Sequence, residues 1–172
     1  MRRIILAASL LSLFLAGSAF GAAASTAKAN LINSKGEPIG TATLKETPKG
    51  VSLRLAVENL PPGVHGFHIH TVGKCEPPDF KSAGGHFNPE GKKHGLENPE
   101  GHHAGDMQNL TVDAQGKAKV KAVLTGVTLG EGANSLFQPA GTALVIHADP
   151  DDMKTDPAGN AGARIACGVI TK

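Results

Sequence analysis

The chain has 172 residues, with 17 Lys and Arg against 15 Asp and Glu, eight histidines and a formal net charge of +2. It holds no Trp, no Tyr and six Phe, which argues against functions built on aromatic stacking, such as gripping single-stranded nucleic acid or sugar rings. The charge excess matches Arg2 and Arg3 at the start of the chain, so the remainder is formally neutral and gives no reason to expect nucleic acid as a partner.

After Arg2 and Arg3, the stretch Ile4 to Ala16 is almost wholly apolar, and small residues follow in "GSAFGAAAS". That is the layout of a secretory signal peptide, and the apolar run is shorter than the about 20 residues that cross a bilayer. We expect residues 1–22 to be such a signal, the cut falling between Gly21 and Ala24, and residues 23–172 to form one domain large enough for a real core. No cysteine lies near the cut, so no lipid anchor and no stable membrane anchor is expected, and the protein should be periplasmic or secreted. In that setting Cys75 and Cys167 most simply form one disulfide. Closing so long a loop contributes about 4 kcal/mol in the chain-entropy picture.

From Ala27 onward, short alternating runs are separated by turn residues. "AKANLIN" leads into "SKGEP", "IGTATLKE" into "TPKG", and "VSLRLAVEN" into "LPPG". "VHGFHIH" reads as a fourth strand, with Phe67 and Ile69 on one face, turned to the core, and His68 and His70 on the other, outer face. Thr71 to Asn109 then breaks the rhythm, being rich in Gly, Pro, Lys and His, and a loop this long needs a function or an anchor. "LTVDAQGKAKVKAVL" predicts a hairpin around Ala114 to Gly116, and "TALVIHA" and "ARIACGVI" predict two further strands. About eight strands and no long helical periodicity predict an all-β sandwich or flattened barrel.

The histidines stand at positions 65, 68, 70, 86, 94, 102, 103 and 147. A Gly- and Pro-rich loop carrying His86, His94, His102, His103 and Asp106 has the composition of a loop folded by metal coordination. Imidazole suits zinc and copper, and a carboxylate adds negative charge. His68 and His70 cannot complete a site alone, and His147, on the apolar strand "ALVIHA", is placed to contribute.

"GFHIH", "GGHFNP", "HHAGD", "LVIH" and "GNAGARIACGVI", in this order, resemble the copper/zinc superoxide dismutases over Ala29 to Ile170. The shortened stretch from His147 to Arg164 and the export signal resemble the bacterial exported branch. The resemblance implies an eight-stranded antiparallel Greek-key barrel with long metal-binding loops, and dismutation of superoxide as an antioxidant activity. It implies copper on His68, His70, His86 and His147, and zinc on His86, His94, His103 and Asp106, with His86 bridging the two and serving in proton delivery. His102 is expected to be a surface residue and His65 a structural one. Arg164 resembles the arginine that holds the incoming anion. Asp151 resembles the carboxylate that orients one histidine of each metal, with Asp149 and Asp152 as nearby competitors. The glutamates that steer substrate in the animal enzymes are missing, so Lys154 is expected to supply the field, with Lys74 and Lys81 as alternatives. Two other readings remain open at this point: a metal carrier of the same fold without turnover, and a β-domain using zinc for stability alone. Monomer and homodimer are both possible.

Overall fold

The computed structural model describes residues 25–172, so the expected export signal and its cut lie outside the described residues. Nine strands follow one another: β1 (Thr26–Asn33), β2 (Pro38–Thr47), β3 (Gly50–Val57), β4 (Gly63–His65), β5 (Phe67–His70), β6 (Leu110–Val112), β7 (Ala118–Leu124), β8 (Ala143–His147) and β9 (Arg164–Thr171). The one helical element among the described residues is a single 3-10 turn, Lys81–Ala83.

Seven strands make one antiparallel sheet in the order β5-β8-β9-β1-β2-β3-β7, curled into a half-barrel, and β4 pairs with β6 separately. Alternation decides what faces inward. Ala27, Ala29 and Leu31 of β1 are buried, while Thr26, Lys28 and Asn30 between them are exposed. Leu31, Leu44, Leu53, Phe67, Ile69, Leu144 and Ile146 meet inside as one core. The all-β expectation stands.

Two elements differ from their sequence reading. "VHGFHIH" is not one strand: it divides at Gly66, with β4 pairing to β6 and β5 to β8. At the break, Gly66 donates to the Asp149 carbonyl at 2.9 Å and accepts from the His147 amide at 2.8 Å. A side chain there would come within 3.0 Å of Ala161 Cβ and 3.1 Å of Asp151 Cβ, so it would fit only if these neighbours gave way by a few tenths of an ångström. The second difference is at residues 110–124. The turn forms, with Gly116 donating to Asp113 at 2.9 Å, but its arms enter different sheets, β6 against β4 and β7 against β3. The expected hairpin is thus a corner between sheets.

The long loop after β5 is anchored on the edge of that strand. Ile69 donates to the Gly105 carbonyl at 3.0 Å and accepts from the Phe87 amide at 2.8 Å, and Thr71 donates to Gly85 at 2.9 Å. Phe87 and Met107 drop into the core. The disulfide joins Cys75 to Cys167 of β9, their Cα atoms 5.6 Å apart. A second apolar cluster of Phe80, Ala83, Ala143 and Val145 packs around it. Consequently the face of β5 expected to point outward is sealed, and His68 and His70 are each 0% exposed.

Candidate metal centre

Seven of the histidine and aspartate side chains expected at the metals converge into two sets that share His86. Ligand atoms of His68, His70, His86 and His147 form one set, and those of His86, His94, His103 and Asp106 the other, each within 4.8 Å of one another. Strands β5 and β8 supply three members of the first set, and the loop supplies His86 and all of the second. The loop runs along β5 so that His70 lies opposite His86 and His68 opposite Asp106.

Hydrogen bonds on the far side of each ring fix which nitrogen faces inward. His70 donates from Nδ1 to the Gly84 carbonyl at 2.9 Å, and His147 points Nδ1 at the Gly162 carbonyl at 3.3 Å. Their Nε2 atoms therefore carry lone pairs, and they face each other at 3.4 Å. His68 is turned the other way. Its Nε2 donates to Asp151 Oδ2 at 2.6 Å, which leaves Nδ1 facing the set.

In the second set, Asp106 Oδ1 stands 3.3 Å from His86 Nδ1, 3.1 Å from His94 Nδ1 and 3.5 Å from His103 Nδ1. None of these contacts is aligned as a hydrogen bond. Nδ1 of His68, both nitrogens of His86, Nδ1 of His94 and His103, and Oδ1 of Asp106 are all buried without a partner. Leaving so many buried polar atoms unmade costs about 1–3 kcal/mol each, and a cation at the centre of each set satisfies them together. The spacing agrees: ligands about 2.0–2.1 Å from a tetrahedral zinc lie about 3.3 Å from one another. Asp106 Oδ2 is held separately by the Gly95 amide at 2.9 Å and the His103 amide at 3.1 Å. The donor sets thus fit the two metals.

Electrostatics prepares the rings for metals. Burial pushes His86 down to about 4 and His147 down to about 3, and burial with the neighbouring His86 ring holds His70 well below its ordinary value. All three are neutral at pH 7, as ligands must be. His94 behaves oppositely. Burial works against its charge, but Asp106 and Asp151 on either side raise it to about 9, so a proton stands between two carboxylates where a cation fits. Burial opposes charge on Asp106 too, yet the close approach of the His103, His86 and His94 rings holds its carboxyl far below the usual range.

Asp151 links the two sets. Beyond its bond to His68, its Oδ1 accepts from His94 Nε2 at 3.1 Å. Asp149 and Asp152 do not share that position: Asp149 is exposed, and Asp152 caps the local turn by accepting from the amides of Lys154 and Thr155. Asn109 clamps Asp151 through its backbone, donating to its carbonyl at 2.9 Å and accepting from its amide at 2.8 Å. The backbone of Gly159, at φ +60°, passes so close that a Cβ there would overlap Asp151 Oδ1 and come within 2.7 Å of His94 Nε2.

Arg164, at the start of β9, is half-buried and donates to the Phe80 carbonyl at 2.7 Å and the Gly84 carbonyl at 2.6 Å. Gly84 also receives His70, so one carbonyl ties the arginine to the histidine. Burial lowers the guanidinium from its ordinary value, but a group that basic stays charged.

His65 is buried, with its ring nitrogens on the His147 and Pro61 carbonyls at 2.9 and 2.8 Å. His102 lies outside both sets and is half-buried rather than a surface residue, its Nδ1 donating to the His103 carbonyl at 2.7 Å. Lys154 is paired with Glu97 at 3.0 Å, which offsets its field, and Lys81 is paired with Asp79 at 2.9 Å. Sequence reading missed Asn109, Gly159 and Asp156, whose carboxylate accepts from the His94 amide at 2.7 Å. Only the proximity of Asn109 to "HHAGD" hinted at any of them.

Comparison with known proteins follows the same lines. The family model for copper/zinc superoxide dismutase (SODC) matches residues 38–170. "Superoxide dismutase [Cu-Zn] 1" of Aquifex aeolicus is 60% identical over 144 residues, covering 83% of this chain and 85% of that protein. A crystal structure of a SOD-like protein from Bacillus subtilis superposes with a TM-score of 0.80 at 41% identity, over 83% of this chain and 96% of that one. The Cu/Zn superoxide dismutase from Brucella abortus gives 0.70 at 30% identity, over 86% and 100%. Fold, paired donor sets and sequence kinship agree, and this chain belongs to the copper/zinc superoxide dismutase family.

Proposed function

We propose that the two donor sets divide the family's reaction, with His68, His70, His86 and His147 holding copper, and His86, His94, His103 and Asp106 holding zinc. The reaction converts two superoxide ions and two protons into O₂ and hydrogen peroxide, and superoxide is the substrate. The observation that carries the residue assignment is His86, whose two ring nitrogens are both buried and unpartnered between the sets. Bound there, copper supplies a one-electron couple that one superoxide reduces and a second reoxidises, while zinc supplies a fixed positive charge.

The chain's own residues do the rest. Asp151, by accepting from Nε2 of both His68 and His94, keeps their Nδ1 lone pairs aimed at the two sets. The Gly84 and Gly162 carbonyls do the same for Nε2 of His70 and His147. His86 Nε2 is the atom that takes up a proton and hands it to the reduced product, because Nδ1 stays engaged on the Asp106 side and holds the ring in place. Arg164 spends two of its five donors on Phe80 and Gly84, which fixes the fork beside His70 and leaves the remaining N–H groups and the charge to receive the small anion.

The protein works outside the cytoplasm in this reading. The disulfide supports it, since such bonds persist in oxidising compartments. Fractionating the producing cells and finding the protein with the cytosolic markers would overturn it.

The test of function is superoxide turnover by the protein loaded with both metals, compared with His147→Ala. The expected result is fast turnover in the wild type and loss of both copper and turnover in the variant, with zinc content kept. Tight copper binding without turnover in the wild type would make the protein a carrier instead.

A further inference from the structure

The chain is close to neutral, yet its charges are sorted. Of the 15 carboxylates, Glu46 is the one that lies within a strand, and it points away from the outer face to accept from Thr128 and Leu129. The outer face of β1, β2, β3 and β7 carries Lys28, Lys45, Arg54, Lys119 and Lys121, all exposed. Among the described residues none of these five takes part in an ion pair.

Register places them together. Lys28, Thr43, Arg54 and Lys121 sit opposite one another across the four strands, Lys45 lies in the adjacent row beside Ser52, and Lys119 in the row beyond, beside Ala56. With strands about 4.8 Å apart and same-face residues about 7 Å apart along a strand, the five cations fill a patch roughly 15 Å on a side. Between them stand Thr26, Asn30, Thr41, Thr43, Ser52 and Ala56, none long enough to shield a charge. Arg54 and Lys121 are direct cross-strand neighbours, an arrangement of like charges that destabilises a sheet.

We propose that this face docks the protein, reversibly and without insertion, on a planar surface of anionic phosphate headgroups, a lipid bilayer bearing acidic lipids. Charge complementarity names the partner's sign, and the spread of the cations in two directions names its form. The five cations spread about 15 Å both along and across four neighbouring strands, which suits a two-dimensional array of charges better than a single extended polymer. The face has no aromatic residue to stack on bases or sugars, and its one exposed large apolar side chain, Val123, is too small to anchor it. His68, His70 and His147 lie at the other end of the sheet, on β5 and β8 beyond β9, so docking leaves the metal centre open to solution. An enzyme consuming a small anion would thereby be held against a membrane without covering its own site.

The test is co-sedimentation of the copper- and zinc-loaded protein with vesicles of phosphatidylcholine alone or with phosphatidylglycerol added. The expected result is sedimentation with the acidic vesicles only, reversed by high salt. Arg54→Gln with Lys121→Gln should lower partitioning on the order of 30-fold, with metal content and turnover unchanged. Lys35→Gln with Lys92→Gln, exposed cations off this face, should leave partitioning as it was. Equal sedimentation with both vesicles, wild-type partitioning by the Arg54 and Lys121 variant, or capture by a soluble polyanion such as heparin but not by acidic vesicles, would each overturn the proposal.

Discussion

Nε2 of His68 donates to Oδ2 of Asp151 at 2.6 Å, and that bond decides which nitrogen of the ring is left for the metal centre. The other oxygen of the same carboxylate accepts from His94 at 3.1 Å. Removing Asp151 therefore frees one ring in each set. Asp151→Ala should weaken metal binding about 10- to 100-fold, most visibly for zinc, whose His94 loses its orientation while Asp106 remains. Competition with a chelator of known affinity measures it, and wild-type zinc retention would contradict the role.

Gly159 gives a sharper version of that experiment, since it touches the carboxylate without donating anything to a metal. Its φ of +60° suits glycine, and an added methyl overlaps Asp151. Gly159→Ala should cost about 1–3 kcal/mol of stability and reduce zinc content together with it. Thermal unfolding of the loaded protein, read beside metal analysis, separates this outcome from plain loss of fold.

The disulfide holds more than chain ends. It fixes the segment whose Phe80 and Gly84 carbonyls receive Arg164, and Gly84 also receives His70. Cys75→Ser should cost about 2–5 kcal/mol in denaturant unfolding and should lower turnover even where the protein is fully folded. Turnover per bound copper equal to the wild type would mean the arginine is positioned without the link.

Arg164→Ala should lower kcat/KM for superoxide roughly 10- to 100-fold and flatten its dependence on ionic strength, with metal content unchanged. Arg164→Lys should recover only part of the loss, because an ammonium cannot donate to both carbonyls and still face the anion in one plane. An unchanged salt slope in Arg164→Ala would move the steering charge elsewhere, Lys74 being the exposed cation of that region with no ion pair among the described residues.

Proton release distinguishes the two sets. Metal-free, His94 has its pKa raised to about 9, above the ordinary value, so it holds a proton at neutral pH that zinc must displace. Zinc affinity should thus rise with pH up to about 9, with about one proton released per zinc near pH 7.5. His86, lowered to about 4, is already neutral there, and it gives up its remaining proton only when both nitrogens are engaged. Calorimetry in buffers of different ionisation enthalpy should show about one further proton released when copper is added after zinc.

How much of this was legible in the sequence follows from what each feature depends on. Alternation in "AKANLIN" or "IGTATLKE" is local, and β1 and β2 follow it. The histidine-rich loop stood out because metal chemistry restricts residue type, so composition alone marked it. Strand pairing is non-local, which is why the break at Gly66 and the corner at 113–117 were invisible: a strand that changes partners looks like one that does not. Asn109 and Asp156 act on backbone groups far away in the chain, and the Gly84 carbonyl has no side chain to read. The pairing of Lys154 with Glu97 was hidden for the same reason. Neutral overall charge said nothing about sorting, since it sums over faces that the register later separates.

The claim on which the rest depends is that one imidazole serves two cations. Its most direct test is the visible absorption spectrum of the copper- and zinc-loaded protein before and after zinc alone is withdrawn. A shared His86 predicts that the copper band shifts when zinc leaves and returns when zinc is restored. A copper band indifferent to zinc would show two independent sites and contradict the account.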